Sequence, residues 1–478
     1  MKLKKLGLLF LIALTFTSCF EDNDDNAIAA SEINDFIWKA MNAAYLYKAN
    51  VDDLANNRFS NSEQYSNFLN GFSTPENIFD HLTYDPLDRF SDIIPNYINF
   101  LQGQDGTSLT NGVEFNFHVN PQNPSLIIGV VRLVLPGSDG DDKGLVRGQI
   151  FNAVDGIALT NENFTNFLSQ NSYTLNLATY NDNGTPQADD DTIESTNNSI
   201  NLVKEVYTEN PIFLSEVLEV GSENVGYLMY NQFNNEYESE LNAAFAQFQA
   251  SNVQHLVLDL RYNPGGVIST AALLGSMVTG QFNGQVFSKV VYNEDQQEEN
   301  RNFNFVSSFN DTPVNSLNLN KVYVLTSRSS ASASELVINS LKEYITVIQV
   351  GENTVGKTQA SVTLFDSPNF GQNNINPNHT YALQPLVANS INVNDEAVPN
   401  DGLPADIQYT EVARNYGVLG DANEPLLAAA LLDIQGLGRY AQPHIELMPI
   451  KKDFNLKPFE DHMYITLDDI SIDRLQFE

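Results

Sequence analysis

Cysteine is almost absent from this chain: Cys19 is the only one in 478 residues, so no internal disulfide can close and no paired-thiol metal site exists. Cations are also few. Against 60 Asp and Glu stand 24 Lys and Arg, a net charge of -36. Phosphate backbones are held by clustered cations, so nucleic acid is excluded as a partner, and the charge reads as a soluble acidic surface. The six histidines are scattered, with no His-Glu-x-x-His run and no paired Cys/His spacing. Neither a metal nor another cofactor therefore has a supporting motif. The apolar run near the start, Leu6 to Phe16, is too short to span a bilayer. There is no internal repeat and no coiled-coil period.

What is present begins with that run. Lys2, Lys4 and Lys5 precede it, and Thr17-Ser18-Cys19 follow. A charged region, a short apolar core and small residues before a cysteine resemble a bacterial lipoprotein signal. The resemblance implies a signal peptide over 1–18, lipid attachment at Cys19 and a location in the bacterial cell envelope. There the chain would be anchored at the outer membrane, periplasmic or surface-exposed. Residues 19–30, with Glu21-Asp22-Asn23-Asp24-Asp25, read as an acidic tether.

Length suffices for several cores, and the pattern divides accordingly. Residues 31–104 read as a helical N-terminal domain or extension. Ser31 is placed as an N-cap, Ile33, Ile37, Ala40 and Met41 fall on one helical face, and Asp85-Pro86-Leu87-Asp88-Arg89-Phe90 closes the region with turn chemistry. Over 105–205 short strands alternate with Asn-, Gly- and Asp-rich loops. Leu135-Pro136-Gly137-Ser138, a short helix ending at Gly144, a strand to Val154 and an Asp155-Gly156 hairpin resemble, in that order, a PDZ domain. That likeness implies capture of an extended peptide at a sheet edge, although Glu114 in the Asn111-to-Phe115 loop would repel a carboxylate if it pointed inward. Residues 206–436 read as an α/β core: a strand at 225–233, a helix carrying Leu241, Ala244, Phe245 and Phe248, the strand 255–260, a helix over 268–278 and a closing helix around 425–432. Residues 281–320 read as a polar excursion. The tail, 437–478, carries no readable motif. The fold class is thus mixed α/β and multidomain, with a parallel or mixed sheet covered on both faces.

Chemistry concentrates between Val322 and Lys357. An apolar strand at 322–326, the run Ser330-Ala331-Ser332-Ala333-Ser334-Glu335, a helix, a second strand at 345–350 and Gly356-Lys357 follow one another. A helix joining two strands makes them parallel, so both following turns open at the carboxyl end of the sheet, where α/β proteins place ligands. Serine is a weak nucleophile and needs a base within reach; lysine can serve only when neutral, which burial away from carboxylates favours. The helix start at Ser332 points backbone N–H groups at the site, so the Ala333 N–H, with one from Gly265 or Gly266, is a candidate oxyanion hole. A Ser-His-Asp triad would need His255, which sits in an apolar strand and reads better as a packed core histidine.

Ser332-Ala333-Ser334-Glu335, Gly356-Lys357 and Asp259-Leu260-Arg261-Tyr262-Asn263-Pro264-Gly265-Gly266 together resemble the carboxy-terminal processing (tail-specific) serine proteases, from about residue 80 to 430. The resemblance implies Ser332 as nucleophile and Lys357, 25 residues later, as base. Family members place a Gln four residues after the lysine, where Ser361 stands with Gln359 two residues earlier. Others place an acidic residue eleven after the nucleophile, where Glu343 falls. Any of the three could support Lys357. The implied activity is a lipid-anchored serine endopeptidase with a Ser-Lys dyad, acting on extended or unfolded polypeptide near its C-terminus, with protein or peptide substrate and membrane as partners. The alternative is a non-catalytic peptide- or ligand-binding surface lipoprotein on the same fold. Oligomeric state, natural substrate and gating are not legible.

Overall fold

The computed structural model describes residues 30–185, 190–438, 447–450 and 463–465. The signal segment, Cys19 and nearly all of the acidic tether lie outside the described residues. Among those described, no helix is long and apolar enough to cross a membrane.

The chain opens with α1 (Ala30–Ala44), α2 (Ser62–Leu69), α3 (Pro75–Leu82) and α4 (Tyr97–Gln104). Polar caps start the later three: Asn61, Thr74 and Asn96 each accept a first-turn N–H. Ile33, Ile37, Ala40 and Met41 are buried as the spacing predicts, but so are Asn34, Phe36 and Trp38. Burial extends round most of α1, leaving one polar stripe in which Glu32 is exposed and Asp35 and Lys39 are half-buried. Residues of α1, α2 and α3 share one hydrophobic cluster with Leu228, Leu258, Val324 and Leu336, so these three helices pack into the main core, while Phe100 of α4 joins a small cluster with Ile94, Phe365 and Ala382.

Five antiparallel strands follow: β1 (Val113–Val119), β2 (Ile127–Val134), β3 (Ile150–Val154), β4 (Ser172–Asn181) and β5 (Thr192–Val203), paired in that order with β1 at the edge. Between them lie α5 (Asp139–Asp142) and α6 (Phe164–Leu168). Asp155 and Gly156 both take positive φ, 51° and 78°, as a tight hairpin between β3 and Ile157–Ala158 requires. Glu114 points at Arg132, 3.0 Å away, and is neutralised there.

The second sheet runs β6 (Ile212–Val220), β7 (Glu223–Tyr230), β8 (His255–Asp259), β9 (Lys321–Thr326), β10 (Thr346–Gly351) and β11 (Ile407–Gln408). Every pairing from β7 onward is parallel. Alternate residues enter opposite clusters: Leu228, Leu258 and Val324 face α7 (Glu238–Ala250), α8 (Ile268–Thr279) and α9 (Ala333–Leu341), while Tyr227, Val257 and Leu325 face α10 (Pro425–Ile434). The sheet is therefore buried on both sides. Residues 281–320 are not an excursion. Val286–Tyr292 is a strand paired with Leu386–Ile391, and Phe287 and Val290 are fully buried; the surrounding Asn, Gln and Glu conceal that alternation in the sequence.

Candidate active site

Strands β9 and β10 end side by side, with Thr326 opposite Gly351, so the loops after them leave the sheet together. The Val355 N–H donates to the Ser330 carbonyl at 3.0 Å, which ties the two loops directly. At the start of α9, Ser332 has φ 64° and ψ -114°, a conformation L side chains rarely adopt. Ser332 and Lys357 are both fully buried. Of the three serines in the run, Ser330 donates to the Leu260 carbonyl (2.8 Å) and Ser334 to the Asn263 carbonyl (2.9 Å). The Ser332 hydroxyl makes no hydrogen bond to any described residue. Two of the hydroxyls are committed to backbone carbonyls; the third is not.

Glu335 organises the pair. One of its oxygens accepts the backbone N–H of Ser332 at 2.7 Å and that of Lys357 at 2.9 Å. The other accepts from Gly356 N–H (2.7 Å) and the Thr354 hydroxyl (2.5 Å). Burial pushes this carboxyl above its ordinary value, and those donors work in the opposite direction. Gly356 has φ 90°, and a Cβ there would lie 2.3 Å from the Asn400 carbonyl oxygen, so only glycine lets the lysine turn close.

The N-terminal region supplies the remaining wall around Lys357. Asp88 caps its own turn by accepting from Phe90 N–H (2.9 Å) and Ser91 N–H (2.8 Å). Arg89 donates to the carbonyls of Gly356 and Asn400, each at 3.1 Å, and the Phe90 ring centroid lies 4.9 Å from the Lys357 ammonium nitrogen. Asp92 has one side open to solvent, yet loss of surrounding water raises its carboxyl, and the Lys357 charge partly offsets this. The segment 88–92 thus belongs to the site and is more than a closing turn.

The Asp259-to-Gly266 segment forms the other wall. Arg261 is fully buried among Asp259 (2.8 Å), Glu411 (2.9 Å) and Glu424 (2.7 Å). Burial alone would raise the Glu411 carboxyl, but the Arg147 and Arg261 charges hold it down at about 2. This ion cluster fixes the loop that follows. Its Asn263 carbonyl accepts Ala331 N–H at 3.2 Å, and its Asn263 amide donates to the Tyr230 carbonyl at 2.8 Å. Arg132, paired with Glu114, reaches the Ser329 hydroxyl at 3.3 Å, so the first sheet also touches the serine loop.

Several expected roles shift. The Gly265 N–H donates to the Asn263 side chain at 2.9 Å, which commits it within the loop. At Gly266, φ is 133° and a Cβ would lie 2.2 Å from the Phe233 carbonyl oxygen, so the close approach that requires glycine is to backbone. Ala333 is the first residue of α9, where an N–H has no intrahelical partner. The supports imagined for Lys357 have other contacts. Glu343 accepts from Asn392 (3.3 Å) and Asn394, Ser361 donates to the Met463 carbonyl (3.0 Å), and Gln359 is buried beside Tyr47, whose hydroxyl pKa is pushed up by burial while Gln359 works to lower it. Glu335 does the joining instead, and Ser-x-x-Glu at a helix start was the available signal. His255 is not a packed core residue: its ring meets Glu223 at 2.6 Å, partly exposed, at the start of β8 and so at the end opposite the site.

Residues 224–372 match Peptidase family S41, and residues 32–91 match the Peptidase S41 N-terminal domain. A carboxyl-terminal-processing protease of Picosynechococcus sp. is 27% identical over 263 residues, 54% of this chain and 56% of that protein. A protein of Staphylococcus epidermidis named as a CtpA-like serine protease is 29% identical over 134 residues, 28% of this chain and 25% of its own. The chain thus spans little more than half of the first relative and a quarter of the second. A structure from Bacteroides fragilis assigned to the S41 proteases superposes with TM-score 0.69 and 24% identity, covering 84% of this chain and 97% of its own. The photosystem II D1 C-terminal processing protease gives TM-score 0.50 and 16% identity, covering 85% and 99%. At those identities the two structures establish the fold. The chain carries the peptidase family S41 domain together with that family's N-terminal domain.

Proposed function

We propose that this chain is a serine endopeptidase that cleaves extended or unfolded polypeptide near its carboxyl terminus, with Ser332 as nucleophile and Lys357 as base. The observation that carries the reading is Ser332 itself: a strained backbone, a buried hydroxyl bonded to no described residue, and a backbone N–H that shares one Glu335 oxygen with that of Lys357. The chemistry needs the Lys357 amine within hydrogen-bond reach of the Ser332 hydroxyl, a contact that in such sites often tightens only in the substrate complex. The Ser332 oxygen then attacks the scissile carbonyl carbon while its proton passes to the Lys357 amine. The Ala333 N–H, at the start of α9, is the donor that this reading assigns to the oxyanion. Collapse expels the amine fragment, which takes the proton from Lys357. Water, deprotonated by the same amine, hydrolyses the acyl-enzyme.

Peptide mass spectrometry of a disordered protein incubated with wild type and Ser332→Ala tests this. New termini should appear only with wild type, and a fluorophosphonate probe should label only wild type. Identical peptide maps would leave a binding protein on this fold. The sequence also supports a lipid anchor on Cys19. Cys19→Ala should move the protein from the membrane to the soluble fraction, and retention at the membrane would refute it.

A further inference from the structure

The edge strand of the first sheet is in use by the chain itself. An outermost strand offers a row of N–H and C=O groups as a template for another. Along β1, the Val119 N–H donates to the Met448 carbonyl at 2.8 Å, and the Ile450 N–H donates to the Phe117 carbonyl at 3.1 Å. His118 and Pro449 face each other between them as an antiparallel pair. Leu447 is buried against Ile128, Val130 and Tyr416, and Ile450 packs on the cluster that holds Phe117 together with Phe164 and Leu168 of α6. Met448 and Pro449 between them are exposed. Among the described residues, two backbone hydrogen bonds and two aliphatic anchors hold this stretch to the edge, and each such bond nets only about 1 kcal/mol. Pro449 has no N–H, so the outer side of the strap cannot template a further strand.

We propose that residues 447–450 are a built-in competitor on the outer edge of β1, and that an extended polypeptide bearing a branched aliphatic residue must displace them to take up the edge pairing that the PDZ-like order of elements implies. Backbone pairing accepts almost any sequence, and the Ile450 position supplies the one side-chain preference. The edge adjoins the serine loop through Glu114, Arg132 and Ser329. The identity of the guest as a substrate rests on the peptidase reading; the edge and its strap do not.

The test uses the full chain carrying Ser332→Ala and a fluorescent peptide of residues 445–452, followed by anisotropy. Ile450→Asp should tighten peptide binding about tenfold, because a site open a tenth of the time loses that factor in apparent affinity. Adding Val119→Pro, which deletes only the strap-side donor, should abolish the gain. A second variant guards against misfolding: Cys19→Ser with His118→Cys and Pro449→Cys places a disulfide across the facing pair. Oxidised, it should bind no peptide; reduced, it should bind as the parent does. Equal binding in both redox states, or no gain from Ile450→Asp, overturns the proposal. Casein cleavage with Ser332 intact separates the two readings. Cleavage with negative peptide results sinks the strap alone, and peptide exchange without cleavage sinks the peptidase reading alone.

Discussion

With the proposed Ser-Lys dyad, Ser332→Ala should lower kcat by roughly 10⁵-fold, Lys357→Ala should do about the same, and the double variant should be no worse than either, because a nucleophile and its base act as one unit. Single-turnover cleavage of a quenched peptide reads all three. Additive losses would mean that the two residues work separately and would remove the dyad. The structure adds a stability prediction that a generic serine would not make. The Ser332 hydroxyl is buried and bonded to no described residue, so Ser332→Ala should not destabilise the fold. Holding a side chain at φ 64° and ψ -114° costs on the order of 1–3 kcal/mol. Ser332→Gly relieves that strain, and after glycine's entropy penalty it should exceed Ser332→Ala by about 1 kcal/mol in denaturant unfolding. A glycine variant less stable than the alanine one would show that the elbow stores no strain.

The parallel pair of strands was legible because each is a short apolar run bounded by Ser or Gly, and a connecting helix forces the crossover. The expected strands 322–326 and 345–350 are observed at Lys321–Thr326 and Thr346–Gly351 in direct register. The hairpin at Asp155-Gly156 was legible for a similar reason: only such residues tolerate two positive φ values in succession. The surroundings of Lys357 were not legible. Arg89 and Phe90 come from more than 260 residues upstream, and no local pattern tells an Asp-capped turn that it will face a lysine. Glu343 and Ser361 failed as partners because chain separation from Lys357 says nothing about which way a side chain at a helix end or in a sheet points. Likewise the wide burial of α1 depends on strands it meets only in three dimensions, so its sequence shows one apolar face while all but the stripe of Glu32, Asp35 and Lys39 is covered.

Glu335→Gln should be strongly damaging too, which tests the idea that one carboxylate sets the geometry of both proposed catalytic residues. The two Glu335 oxygens accept four donors: the N–H groups of Ser332 and Lys357 on one, and Gly356 N–H and the Thr354 hydroxyl on the other. An amide presents a single oxygen. Whichever way it turns, its NH₂ faces two buried donors, and each donor left without an acceptor costs about 1–3 kcal/mol. Stability should fall by roughly 2–6 kcal/mol, and kcat by more than about a hundredfold, since sub-ångström placement governs attack. KM should change little, because Glu335 is fully buried at the helix start, where no substrate would touch it. A split in which KM rises while kcat holds would make Glu335 a substrate contact. Wild-type kcat in Glu335→Gln would mean that the shared oxygen between the Ser332 and Lys357 backbones does not position them.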